Sequence, residues 1–162
     1  MSGLTIREAD RPGDLGWIVQ RHGEVYAAEE GYDTSFEWLV AGVVGRYASG
    51  RDPDTERAWV AEVDGERAGC IMCTGCEEEG TALLRVLLVE PALRGHGAGR
   101  ALVTTCVDFA RDAGYRRMRL WTNDPLAAAR RVYLDQGFAL TEEEPHHSFG
   151  ADLVGQVYER TL

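Results

Sequence analysis

Apolar and polar side chains alternate along this chain in two periods, one typical of strands and one typical of helices. Residues 4–9 alternate with a period of two, which predicts a half-buried strand. Residues 14–30 and 35–49 place apolar side chains at helical spacing, which predicts two helices. Asp64-Gly65 separates two strand-like runs and therefore predicts a β-hairpin.

The second half of the chain predicts three more strands and two more helices beyond this hairpin. The run 81–89 is almost continuously apolar, which is typical of a strand covered on both faces. The elements expected after it are a helix over 97–113, a strand over 117–121, a helix from Asp124-Pro125 to about 136, and strands 138–141 and 153–158 around a loop at 145–150. The order β-α-α-β-β-β-α-β-α-β-β predicts a mixed α/β sheet.

Length and composition limit the classes of protein that are possible. A chain of 162 residues with 44% hydrophobic and 27% charged side chains predicts one globular domain over 1–162. No apolar run approaches the roughly 20 residues of a membrane helix, and no signal peptide is recognisable, so we expect a cytoplasmic protein that binds no membrane. The four cysteines are expected to be reduced thiols.

The net charge of −10 is unevenly distributed. Residues 85–131 hold nine arginines and four acidic side chains, a net charge of +5, and the whole chain contains no lysine. An acidic chain repels nucleic acid, whereas a local basic segment can hold a small polyanion. The alternative is that these arginines only solvate a helix end and a strand.

A glycine-rich turn is the clearest chemical motif. Gly95, Gly97 and Gly99 follow a buried strand and open a helix, where first-turn N–H groups and the flanking Arg94 and Arg100 can bind phosphate. The glycines alone are equally consistent with a tight turn. A P-loop is excluded because it requires lysine, and the dinucleotide motif fails because its last glycine is missing.

The remaining pattern, R-x-x-G-x-G at Arg94, Gly97 and Gly99, resembles that of the GCN5-related N-acetyltransferases (GNAT family), which hold the pyrophosphate of acetyl-CoA with it. Tyr133 shortly before Gly137-Phe138 is similar to the second signature of the family. The resemblance covers nearly the whole chain. It is nearest to the acetyltransferase domain fused to some MarR-type regulators, here without the winged helix.

The resemblance implies a mostly antiparallel sheet that is flanked by helices and split around the acyl-CoA site. Main-chain groups of Leu87, Leu88 and Val89 would pair with the pantetheine arm, and Tyr133 would protonate the leaving thiolate. The pyrophosphate would be held by the amides of the loop, which are those of Gly95, His96, Gly97, Ala98, Gly99 and Arg100. One departure is Leu126, which stands where many members have an asparagine that bonds the cofactor.

The acceptor side has fewer signals. His22, Tyr26, Glu29 and Glu30 share one face of the first long helix and could bind a cationic amine, with Glu29 as the candidate base acting through water. A solvated helix face is the alternative. His147 lies in the predicted 145–150 loop, which either touches the acceptor or is a plain hairpin loop.

No metal site is expected. Cys70 and Cys73 fall on opposite faces of a strand, and the cysteines of the stretch 70–76 are interpreted as small hydrophobic strand residues. The only thiol outside this stretch, Cys106, lies on a helix, whereas a structural zinc ion requires four ligands. We therefore predict an acetyl-CoA-dependent N-acetyltransferase that acts by direct transfer to an amine of a small molecule or peptide, as a monomer or homodimer. The alternative is a CoA-binding sensor or partner-binding module without turnover.

Overall fold

The computed structural model describes residues 3–162 and contains a seven-stranded sheet in the order β1-β2-β3-β4-β5-β7-β6. Every neighbouring pair is antiparallel except β4 and β5, which are parallel. The elements are β1 (Leu4–Glu8), α1 (Asp14–Glu30), α2 (Thr34–Gly50), β2 (Arg57–Val63), β3 (Glu66–Gly75), β4 (Thr81–Val89), a 3₁₀ turn (Pro91–Leu93), α3 (Ala98–Asp112), β5 (Arg117–Asn123), α4 (Ala127–Asp135), β6 (Ala139–Ser148) and β7 (Ala151–Thr161). The predicted order of elements and the mixed α/β fold are confirmed.

Two predicted boundaries are wrong. The 145–150 loop is only a two-residue turn, because Ser148 pairs with Ala151 and both Phe149 (φ 58°) and Gly150 (φ 78°) are left-handed, as a tight hairpin turn requires. The last helix begins at Ala127 rather than at Asp124-Pro125. The Asp124 carboxylate instead accepts a hydrogen bond from the N–H of Val154 in β7 (3.1 Å), so it joins a strand instead of capping the helix.

Helices cover both faces of the sheet and form two core layers. Cys73 and Cys106 pack in the layer beneath α3 and α4, whereas Cys70 packs in the layer beneath α1 and α2. The prediction that Cys70 and Cys73 point to opposite faces is therefore confirmed. Among residues 3–162 no group of three side chains is placed to hold a metal ion, and no helix is long and apolar enough to cross a membrane.

The sheet opens between its fourth and fifth strands. β4 and β5 pair only over residues 81–83 and 117–119, and the paired segment ends there. On its other edge β4 carries a bulge, since the three residue steps from Arg85 to Leu88 lie opposite only two residue steps, from Cys70 to Met72, on β3. Val86 in this bulge has a φ of 51°, which is unusual for a β-branched residue. The sheet therefore splits towards the end of β4 and leaves one edge of that strand without a partner.

A buried carboxylate fixes the start of α1 against the sheet. Asp14 is fully buried and accepts hydrogen bonds from Arg7 (2.7 and 3.0 Å), from Arg67 (2.9 Å) and from the N–H of Arg11 (2.9 Å). Burial alone would raise the pKa of Asp14, but these hydrogen bonds outweigh it and lower the pKa from 3.8 to about 2. The charged form is therefore favoured in the folded protein.

Asp14→Asn should destabilise the fold by about 3 kcal/mol at pH 7, because it leaves two arginines without their shared carboxylate. Since the pKa of Asp14 is lowered in the folded state, its contribution is fully present above pH 4 and is lost as the pH falls towards 2. Urea unfolding of the wild-type protein and Asp14→Asn from pH 7 to pH 3 should show that the difference between their free energies of unfolding becomes smaller below pH 4. The exposed Asp10→Asn is the control, and an equal loss in that variant would contradict the assignment.

Candidate active site

A cleft of about 510 Å³ lies where β4 and β5 separate, and we call it the β4–β5 cleft. Its walls are the end of β4, the start of α3, the first turns of α4 and the last turn of α1. The predicted loop residues line it at 87–89, 94–95 and 97–100. His96 is exposed and is not among the lining residues. The structure thus brings together nearly all of the residues singled out in this segment.

The glycine-rich turn leaves open space at the start of α3. Gly95 and Gly97 have φ values of 83° and 86°, and a β-carbon built at either position would meet no atom within 4 Å. Helix α3 begins directly after Gly97 without a side-chain cap, so its first-turn N–H groups have no protein acceptor inside the helix. Such a helix start beside open space is suited to hold an anion.

Arginines around this cleft are mostly paired with carboxylates. Arg94 donates two hydrogen bonds to Glu29 (2.7 and 2.9 Å), and Arg100 donates one to Asp135 (2.8 Å). These are exposed pairs, which contribute roughly 0–1 kcal/mol each. Arg131 also lines the cleft. The sequence analysis missed Arg131 as a site residue, although it lies on the same predicted helix as Tyr133.

Tyr133 is buried next to the cleft. Its side chain packs against Phe138 and Tyr158, with ring centroids 6.0 and 6.2 Å away. Ala129 and Val132 of the same helix line the cleft, whereas Tyr133 is not among the lining residues. Burial raises the pKa of Tyr133, and the nearby Tyr26 raises it further. The hydroxyl therefore stays protonated at neutral pH, as a proton donor must.

The residues predicted on α1 separate into two groups. Tyr26, Glu29 and Glu30 line the β4–β5 cleft, but His22 does not. His22 is buried and stacks on Tyr26, and its Nδ1–H donates to the Ile18 carbonyl (2.8 Å). The expectation that His22 binds the acceptor is wrong for this reason.

Glu29 is not supported as the base, because both of its carboxylate oxygens accept hydrogen bonds from Arg94. The neighbouring Glu30 has a different environment. Burial raises the pKa of Glu30, and repulsion from Glu29 raises it further. A cleft carboxylate with a raised pKa is the better proton acceptor at neutral pH, because its pKa lies nearer to that of the amine.

His147 also differs from expectation. It is an exposed residue within β6, and its Nδ1 lies 2.8 Å from a carboxylate oxygen of Asp152 across the hairpin. It lines neither cleft among the described residues. The preceding residue, His146, faces the other side of the strand and hydrogen-bonds Asn123 through Nε2 (2.9 Å) and Ser148 through Nδ1 (2.9 Å).

A second cleft, of about 700 Å³, lies between α2 and the β5-β7-β6 part of the sheet, and we call it the acidic cleft. Its polar lining includes Glu142, Glu143, Glu144 and His146, and its apolar lining includes Phe36 and Trp121. The sequence analysis missed this cleft. The run of three glutamates at 142–144 was the available signal, but only the three-dimensional pairing of β6 with β7 places it opposite Trp121.

Four aromatic side chains separate the two clefts. Tyr26 of the β4–β5 cleft lies 4.7 Å, between ring centroids, from Phe36 of the acidic cleft. Phe36 in turn contacts Tyr32 (5.1 Å) and Phe149 (5.0 Å). One aromatic cluster, which consists of Tyr26, Tyr32, Phe36 and Phe149, therefore contributes lining residues to both clefts.

Solved structures of acetyltransferases share this fold. The Salmonella typhimurium protein yncA, solved with its cofactor acetyl-CoA, superposes with a TM-score of 0.80 at 23% identity, over 99% of this chain and 94% of that one. A ribosomal-protein-alanine N-acetyltransferase from Brucella melitensis gives a TM-score of 0.79 at 19% identity, over 98% and 99% of the two chains.

The sequence identifies the family. Residues 17–138 match the model of the acetyltransferase (GNAT) family, so the chain belongs to that family. An uncharacterized N-acetyltransferase from Archaeoglobus fulgidus is 29% identical over 82% of this chain and 91% of its own length. N-acetylaspartate synthetase from Xenopus tropicalis is 32% identical over 55% of this chain, and this alignment covers 33% of the synthetase.

Stability should fall below pH 6.5 because of His22. Burial lowers the pKa of His22 from 6.5 to about 4, although the hydrogen bond to Ile18 opposes the shift. The unfolded chain therefore binds a proton that the folded protein excludes, and up to about 3 kcal/mol is lost between pH 6.5 and pH 4. The free energy of unfolding, measured with urea, should change less with pH in His22→Leu than in the wild-type protein. The exposed His96→Leu should keep the wild-type slope, and identical slopes in all three proteins would contradict this assignment.

Proposed function

We propose that this protein transfers the acetyl group of acetyl-CoA directly to an amine of a small molecule or peptide. The observation that carries the proposal is the β4–β5 cleft, which joins an uncapped helix start, an unpaired strand edge and a carboxylate with a raised pKa. Membership of the GNAT family and the acetyl-CoA in the Salmonella structure support it.

The residues of the cleft fit acetyl-CoA. The open space beside Gly95 and Gly97 and the free N–H groups of residues 98–100 suit the pyrophosphate. Arg94, Arg100 and Arg131 add positive charge there. The unpaired edge of β4 at 87–89 offers main-chain groups to the pantetheine amides, as an added strand would. When bound, acetyl-CoA supplies an activated thioester to this site.

Residues of the chain then transfer protons and polarise the thioester carbonyl. Glu30, in the place first given to Glu29, accepts the proton of the acceptor ammonium, directly or through water. A main-chain N–H near Val89 polarises the thioester carbonyl. Tyr133 donates its hydroxyl proton to the sulfur as the C–S bond breaks, and the second proton of the attacking nitrogen restores the hydroxyl, because burial disfavours the ionised form of Tyr133. None of these steps uses a cysteine, so the proposal contains no acyl-enzyme.

Several wider expectations belong to the same proposal. We infer one catalytic domain over 1–162 that works as a monomer or homodimer in the cytoplasm without nucleic acid or membrane. The finer resemblance to acetyltransferase domains of MarR-type regulators rests on residues 31–33, 84–91 and 144–156 and stays a prediction.

Gly97→Ala should weaken acetyl-CoA binding at least about tenfold, which corresponds to about 1.4 kcal/mol, because the methyl group occupies the open space of the phosphate loop. A left-handed backbone at this position also costs roughly 1–2 kcal/mol of stability for alanine. Gly114→Ala is the matched control, since Gly114 (φ 98°) is equally open and lies outside the cleft. Calorimetry should show unchanged affinity in the control, and unchanged affinity in Gly97→Ala would refute the loop assignment.

Tyr133→Phe should lower kcat at least about tenfold, because it removes only the proton donor and keeps the ring. Acetyl-CoA affinity and Tm should change little. Tyr115→Phe is the control: Tyr115 donates a hydrogen bond to Thr55 (2.9 Å) far from the cleft, so its loss should leave kcat unchanged. Both variants are assayed by thiol release with a panel of amines. A Tyr133→Phe protein with wild-type kcat would exclude Tyr133 as the acid.

A further inference from the structure

We propose that the acidic cleft selects the acceptor and that the acceptor carries a second positive charge besides its reacting amine. This inference rests on the proposed acetyl transfer, because it takes the β4–β5 cleft as the place of reaction. It assigns the substrate a chemical class, a di- or polycationic amine, whose tail lies in the acidic cleft.

The charge of the acidic cleft is the first argument. Glu142 pairs with Val157 and Glu144 pairs with Gly155 across the β6–β7 ladder, so these two carboxylates project from the same face of the sheet. Neither forms an ion pair within residues 3–162, and no arginine is among the residues that line the cleft. Unneutralised carboxylates on the walls of one concave surface focus a negative potential that attracts cations.

The aromatic lining is the second argument and is independent of the carboxylates. The Trp121 side chain is 59% exposed and lies in β5 beyond the short segment that pairs with β4, so among the described strands only β7 pairs with β5 at this position. In register it pairs with Val157 of β7, which in turn pairs with Glu142 of β6, so indole and carboxylate lie on the same face of the sheet with β7 between them. An exposed indole beside carboxylates is the arrangement that holds an ammonium group by cation–π and ionic attraction.

The connection between the clefts is the third argument. Tyr26 and Phe36 are in contact, and each lines a different cleft. We infer that an extended amine long enough to cross this aromatic contact places its reacting nitrogen near Glu30 and its tail near Glu142 and Glu144. The alkyl part of such a molecule suits the uncharged aromatic surface between the two ends.

The two clefts also differ in the charge that they accept. The β4–β5 cleft is lined by Arg94, Arg100 and Arg131 and also by Glu29, Glu30 and Asp135, so it offers arginines that a phosphate can engage, whereas the acidic cleft has carboxylates and no arginine. A polyanionic donor and a polycationic acceptor are therefore directed to different sides of the aromatic cluster. An anionic acceptor would be repelled by the carboxylates.

The experiment compares three amines with the same eight-carbon chain, long enough to cross the aromatic cluster: 1,8-diaminooctane, octylamine and 8-aminooctanoate, whose tails are positive, neutral and negative. Binding is measured by calorimetry in the presence of desulfo-CoA, and turnover is measured with acetyl-CoA. We expect kcat/KM and affinity to fall at least about tenfold at each step of this series. The preference for the diamine should shrink as ionic strength rises.

Variants locate the source of the preference. In Glu142→Gln/Glu144→Gln the ratio of diamine to octylamine affinity should fall several-fold. Glu77→Gln/Glu79→Gln is the matched control, because it removes two exposed glutamates at the same spacing from the turn before β4 and changes the net charge equally. The control should keep the wild-type ratio. Trp121→Ala should lower affinity for the diamine more than for octylamine.

The outcomes separate this inference from the proposed function. Turnover of all three amines at similar kcat/KM would overturn the charge selection and leave acetyl transfer supported. Preferential binding of the diamine without any turnover would support the acidic cleft and count against acetyl transfer. Equal or absent binding of the three amines, or an equal effect of both double variants, would overturn the inference.

Discussion

The short pairing between β4 and β5 is the constraint on which the site depends. Three paired residues on each strand hold the sheet together, and beyond Leu83 the strands separate. The bulge at Val86, with its left-handed φ, bends β4 at the same point, at a cost on the order of 1–3 kcal/mol for such a conformation. The packing of four helices on both faces compensates this cost. A continuous ladder here would leave no cleft and no unpaired strand edge.

Two exposed ion pairs at the edge of the cleft connect the glycine-rich turn at residues 94–100 to neighbouring helices, and they are weak enough to be exchanged. Arg94 and Arg100 bond carboxylates on α1 and α4, and these exposed pairs contribute little to stability. An incoming phosphate can therefore replace Glu29 or Asp135 at small cost. A second bidentate pair, Arg21 with Glu90 (2.7 and 2.8 Å), is less exposed and ties α1 to the end of β4. The α1–β4 frame is therefore held more firmly than Arg94 and Arg100, the arginines proposed to bind the phosphates, which can exchange partners.

Local signals explain what could be predicted from the sequence. The order of elements, the hairpin at Asp64-Gly65 and the glycine-rich turn depend on neighbouring residues, and the structure contains each of them. The burial of His22, the pairing of Glu29 and the alignment of Glu142 with Trp121 depend on contacts between distant segments. The length of β6 was also underestimated, because its residues from Thr141 to Pro145 are exposed and show no alternation of apolar and polar side chains.

The position of α1 relates the two clefts to each other. Its last turn contributes Tyr26 and Glu30 to the β4–β5 cleft, and Tyr26 also contacts Phe36 beside the acidic cleft. The start of α1 is anchored by the buried Asp14, and its middle is tied to β4 through Arg21 and Glu90. A helix held at these two points cannot shift its last turn independently of the sheet. The distance from Glu30, the proposed base, to the unpaired edge of β4 is therefore set by the fold itself, and under the proposed mechanism each bound molecule meets reacting groups that are already in place.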